Sequence, residues 1–136
     1  MTLEILQPPG WAKPKGYANG VAADGRLVFI AGQIGWNPQT GAFEADELAG
    51  QVRQALANIC DVLTEAGGKP EHLVRLTWYV TDKQAYLADP KSIGAAYRDV
   101  IGRHFPAMAV IAVAGLVDDG ALVEIEATAV VPAESG

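Results

Sequence analysis

Between Asp46 and Ala66 the apolar residues Leu48, Val52, Leu56, Ile59 and Leu63 recur every three or four positions, and the pattern stops at Gly67-Gly68 and Pro70. That spacing predicts an amphipathic helix with one buried face, Asp46 as its N-cap and the glycine pair as its stop. The period then changes to two. In "HLVRLTWYVT", Val74, Leu76, Trp78 and Val80 alternate with Arg75, Thr77, Tyr79 and Thr81, as in a strand with two unlike faces. A helix that runs straight into such a strand must lay its stripe on a sheet.

The remaining segments fit around this unit. "YANGVAADG" and "RLVFIAGQI" read as strand material joined by a hairpin turn at Asp24-Gly25. "QPPGWAKPKG" reads as an irregular N-terminal loop and "WNPQTGAF" as a second loop. Ile93, Ala96, Tyr97, Val100 and Ile101 form a second helical stripe, weakened by Gly94 and Gly102 and kept from extending backward by Pro90. Two strands, about 108–115 and 121–131, close the chain, joined by a turn around Asp118-Asp119-Gly120. The order is β-β-α-β-α-β-β. It predicts an α+β fold in a single domain over 1–136, with a mixed sheet and two helices on one face. The opposite face carries Thr77, Tyr79, Glu124, Glu126 and Thr128 among apolar groups. Covering it with another copy of the chain is the expected solution, so a homo-oligomer is predicted.

Charge and cysteine usage narrow the function. The formal net charge is −6, and the ten basic residues form no cluster, which argues against a nucleic-acid partner. Cys60 is the sole cysteine, so neither an internal disulfide nor a cysteine-based metal site is expected. His72 and His104 lack partners at metal-ligand spacing and are read as surface residues; no metal is predicted. "MTLEILQPPG" does not resemble a secretory leader, and no apolar run reaches bilayer length. The expectation is a cytoplasmic protein with no membrane partner. "GQIG" and "AGG" do not make a phosphate loop.

The acids of "VEIEATAV" are the unusual feature. Glu124 and Glu126 share one face of a strand otherwise rich in Val and Ala. Either they are solvated, or that face borders a cleft.

The series "KGYANGV", "VFIAGQIGWNPQTG", "QVRQALANICDVLTEAGG", "LVRLTWYVTD", "FPAMAVIAV" and "VEIEATAV" resembles the RidA (YjgF) family of reactive-intermediate deaminases over nearly the whole chain. The resemblance implies a chorismate-mutase-like fold and a homotrimer, with a central β-barrel and clefts between subunits. It implies hydrolysis of enamines and imines to ketones and ammonia with no metal or organic cofactor. Carried over by motif, Tyr17 matches the family's tyrosine in "GY". Gly32, Gln33 and Ile34 match a stretch that lines the cleft. Tyr86 matches an aromatic reaching over from the neighbouring subunit, and Glu124 matches the glutamate that handles water or the imine proton.

The departures bear on substrate. The family's deaminases read "PAR", with the arginine gripping a substrate carboxylate; here Met108 stands in that place. Val110 stands where many members carry cysteine, and Gly94 where many carry asparagine. "ADPKSIG" resembles a short insertion at the cleft rim. A forked guanidinium is thereby replaced by a neutral thioether. Met108, Ile34, Val110, Trp36 and Tyr86 would make an apolar pocket suited to a bulkier or less anionic ligand than 2-aminoacrylate. Arg75 or Arg103 could restore a clamp only if the fold brings one to the cleft. The expected function is an imine or enamine deaminase-type hydrolase with Glu124 and Tyr17 as catalytic groups. The first alternative is a trimeric small-molecule binding or regulatory protein without turnover; a translation-blocking ribonuclease, which the resemblance also implies, is least favoured by the acidic balance.

Overall fold

The computed structural model describes residues 3–133. Strand β1 (Leu3–Leu6) pairs antiparallel with β2 (Gly20–Ala23) as a small separate sheet. Then follow β3 (Arg26–Ile34), helix α1 (Leu48–Glu65), a short 3-10 turn at Pro70–His72, and β4 (Leu73–Val80). Helices α2 (Lys83–Ala88) and α3 (Pro90–Val100) lead to β5 (Ala107–Ala112) and β6 (Val123–Val131). The main sheet has the order β3-β6-β4-β5; β4 and β5 run parallel across the α2–α3 crossover, and the other pairs are antiparallel. The fold is α+β with a mixed sheet and the long helices on one face.

The α1 stripe buries Val52, Leu56, Ile59 and Leu63 completely, against Leu76, Trp78 and Val80 of β4 and Val123, Ile125 and Ala127 of β6. Ile93, Ala96 and Tyr97 of α3 complete the layer. The glycine stop closes α1 by two backbone bonds, Gly67 N to Thr64 O and Gly68 N to Leu63 O, with Gly67 at φ +76°.

Several expectations are corrected. Residues 3–6 are a strand that finds its partner in β2. The Asp24-Gly25 turn joins two sheets and makes no hairpin, because β3 pairs with β6. Glu47, not Asp46, caps α1, its carboxylate accepting the Gly50 N–H. On β4 a register shift between Leu73 and Arg75 puts Leu73 into the core and leaves Val74 half-buried. The turn around Asp118-Asp119-Gly120 joins strands that β4 separates, so it closes no hairpin. Pro90 separates two helices, and Asp89 caps the second by accepting the Ser92 N–H. His104 is not a surface residue: its Nε2 donates to the Leu73 carbonyl at 2.7 Å, and its own carbonyl accepts the Tyr97 hydroxyl.

Two polar residues of α1 are as buried as its stripe. Gln51 donates to the Ala45 and Gly120 carbonyls and accepts the Leu122 N–H at 2.8 Å. Asn58 donates to the Ile34 and Trp36 carbonyls and accepts from Gln54. Burial pushes the half-buried Cys60 thiol up, and the neighbouring Asp61 carboxylate adds to the shift. Urea denaturation should show Gln51→Leu losing about 1–3 kcal/mol, because three backbone groups are orphaned. Leu56→Ala should lose about 2–5 kcal/mol through the cavity it leaves.

Candidate functional site

Glu124 lies on β6 opposite Tyr79 of β4 and Ile34 of β3, on the sheet face away from the helices. It is half-buried, whereas Glu126 is exposed. Between Ile30 and Gln33 the β3–β6 register shifts, a bulge that includes Gly32. The Glu124 side chain is seated directly over Gly32: a Cβ at position 32 would stand 2.4 Å from Oε2. Only glycine therefore leaves the carboxylate where it is. Asn58 holds the end of this strand through Ile34 O and Trp36 O. The Gln33 amide turns back onto the Ala31 carbonyl. Glu126 accepts the Tyr79 hydroxyl at 2.9 Å. That bond pushes the Tyr79 phenol up, helped by desolvation and by the charges of Glu126 and Glu124. Of the two acids, Glu126 is thus tied within the sheet, while Glu124 accepts no hydrogen bond among the described residues.

A second group of residues gathers at the far edge. Met108 pairs with Leu76 and Val110 with Trp78, so both side chains belong to the helix-facing side of β5. The Ala18 N–H donates to the Pro106 carbonyl at 3.0 Å, and Ala18 bridges Ala107. This contact lays the loop carrying Tyr17 along β5. Tyr17, Tyr86, Met108 and Val110, with Lys15 and Gly16, line a cleft of about 230 Å³. Met108 and Tyr86 also wall a deeper cavity of about 400 Å³ beneath α2 and α3. Burial pushes the Tyr86 phenol up.

The expected site residues therefore fall into two sets. Glu124, Gly32, Gln33 and Ile34 gather at the β3–β6 junction; Tyr17, Tyr86, Met108 and Val110 gather at β5. Trp36 stays with the first set, bridged to Phe43. Glu124 and Ile34 sit on the open face of the sheet, Met108 and Val110 on the helix-facing side, and β4 lies between their strands. Within one chain they do not converge. Neither arginine expected as a possible carboxylate clamp reaches Met108. Arg75 lies on the open face beside Thr77 and Glu126, and Arg103 is exposed in the loop before β5. Lys15 and Arg98, which sequence reading did not single out, line the Met108 cavity instead. The signal for Arg98 was its spacing of four from Gly94 on α3, which puts the two on one helix face.

Residues 11–131 match the family model described as Endoribonuclease L-PSP. The human 2-iminobutanoate/2-iminopropanoate deaminase is 33% identical over 128 residues, covering 94% of this chain and 88% of its own length. The Escherichia coli K12 protein of the same description is 38% identical over 117 residues, with 84% and 86% coverage. Among solved structures, a protein of the conserved Rid family from Yersinia pestis, YyfB, superposes with a TM-score of 0.83 at 34% identity, covering 96% of this chain and all of that one. The E. coli YjgF gene product does so with a TM-score of 0.67 at 37% identity, with 84% and 87% coverage. The fold, the motif series and these relatives agree: the chain belongs to the RidA/YjgF (Endoribonuclease L-PSP) family.

Proposed function

We propose that this protein is an imine or enamine deaminase-type hydrolase, whose site is completed when copies of the chain meet. The carrying observation is Glu124, half-buried, seated on Gly32 and without a hydrogen-bond partner among the described residues, in a chain related to 2-iminobutanoate/2-iminopropanoate deaminases. The chemistry asks little. Water adds to the C=N carbon while the nitrogen takes a proton; the tetrahedral adduct then expels ammonia as the new C–O bond becomes a carbonyl. Glu124 carries protons between water and nitrogen, and the Tyr17 hydroxyl of the opposing half-site orients water or substrate. Gly32, Gln33, Ile34 and Trp36 shape one wall, and Tyr86, Met108 and Val110 the other.

The same geometry supports assembly. Leu27 and Phe29 of β3 are 60% and 75% exposed on the open face of a single chain, and Ile111 on β5 is 43% exposed. Such apolar exposure is costly for an isolated subunit. A homotrimer acting in the cytoplasm would cover this face and bring one copy's Glu124 to the next copy's Met108 edge. Light scattering should give a particle about three times the 14.3 kDa chain; a monomer would remove the site.

Met108 also supports a second reading, a trimeric small-molecule binding or regulatory protein, because it cannot grip a small carboxylate. Turnover separates the two. Glu124→Gln should abolish ammonia release from imines generated in the assay. Gly32→Ala should fold and lose most of the rate by displacing that carboxylate; full rates in both variants would show that proton transfer lies elsewhere. Met108→Arg should raise kcat/KM on 2-iminopropionate by roughly ten- to a hundredfold, the worth of one charged hydrogen bond at about 1.5–3 kcal/mol.

A further inference from the structure

The cavity beneath α2 and α3 is larger than a small imino acid needs. Its volume of about 400 Å³ falls in the range of small-ligand sites. Its walls are aromatic. Trp78 and Tyr97 stack at 6.4 Å between centroids, Tyr97 and Phe105 at 5.4 Å, and Tyr86 meets Trp78 edge-on at 6.3 Å. The Trp78 Nε1 is the one buried side-chain polar atom among the described residues with no hydrogen-bond partner. In a chain of net charge −6, no acid among the described residues lines this cavity, yet Lys15 and Arg98 do, each with its residue exposed. Neither forms an ion pair among the described residues, where the salt bridge is Arg53 to Asp99. The Arg98 guanidinium lies over Gly94, its Nη1 3.1 Å from where a Cβ would stand, so the bare glycine leaves room for it.

We propose that this cavity binds an aromatic carboxylate, with the ring against the Trp78, Tyr97 and Phe105 wall and the carboxylate at Lys15 and Arg98. A flat apolar body suits stacked rings. A single anionic group suits one guanidinium and one ammonium at the mouth, where the fork of Arg98 matches a carboxylate. Because the cavity shares Tyr86 and Met108 with the β5 half-site, the inference deepens the deaminase reading and rests on it for one point, that the bound acid is also substrate. That substrate is an aromatic 2-imino acid, which takes up water and yields the aromatic 2-oxo acid and ammonia. The carboxylate grip lost at position 108 is then supplied from α3 and the N-terminal loop.

The test is calorimetric titration of the full chain with phenylpyruvate, pyruvate and the neutral ketone phenylacetone. Phenylpyruvate should bind at least tenfold more tightly than pyruvate. Arg98→Ala should weaken phenylpyruvate roughly tenfold and leave phenylacetone unchanged. Gly94→Leu should block both aromatic ligands by filling the cavity, in a helix that leucine favours over glycine. Equal affinity for the two acids, equal weakening of both aromatic ligands by Arg98→Ala, or wild-type binding in Gly94→Leu would each overturn the proposal. The deaminase reading is scored separately by the turnover of Glu124→Gln. If that variant keeps its rate while the titrations run as expected, the cavity stands and the deaminase reading falls. If it loses its rate while phenylpyruvate fails to bind, the cavity alone falls.

Discussion

Two buried amides on α1 hold the parts of this structure that regular hydrogen bonding cannot reach. Gln51 and Asn58 are seven residues apart, and so lie on nearly the same side of the helix. Gln51 fastens the loop before α1 and the loop before β6 to one point. Asn58 does the same for the end of β3. The helix and this strand end pack with nothing between them: a Cβ on Gly35 would stand 2.6 Å from the Gln51 Cβ. Each amide uses its donors and its acceptor, so the burial is compensated. Without Asn58, the bulge at Gly32 would lose its fixed end, and Glu124 its seat.

That dependence explains why a carboxylate can stand unpaired on an open sheet face. Its position comes from backbone shape below it, not from a partner beside it. The price of such an arrangement is incompleteness. Glu124 faces one way and Met108 the other, on strands separated by β4. Under the proposed deaminase reading, which asks for a proton carrier and a substrate pocket together, neither half suffices alone. Leu27 and Phe29 are likewise exposed on the open face.

Regular elements were legible because their signals are local. The α1 stripe, the glycine stop and the alternation of β6 each appear in a few adjacent residues and persist in the folded chain. Leu3–Leu6 was not legible, since four residues beside a Pro-Gly loop carry no period of their own and become a strand only by pairing with β2. The Asp24-Gly25 turn misled because turn chemistry permits a hairpin without compelling one. The flanking strands had better partners elsewhere. The bulges in β3 and β4 were invisible because each is defined by a mismatch with another strand. Of the candidate site, the motifs pointed to Glu124, Gly32, Tyr17, Tyr86 and Met108, but not to their separation into two sets.

By itself, the order of residues determined the α+β class, the long helix and its stop, and the family. These rest on periodicity, steric limits at glycine and proline, and side-chain chemistry, all of which act over short stretches of chain. Only the tertiary structure decided which strands pair, which face each acid occupies, and that Lys15 and Arg98 stand at the cavity behind Met108. Those outcomes depend on contacts between segments tens of residues apart, where packing and hydrogen-bond satisfaction choose among partners that each local segment would accept.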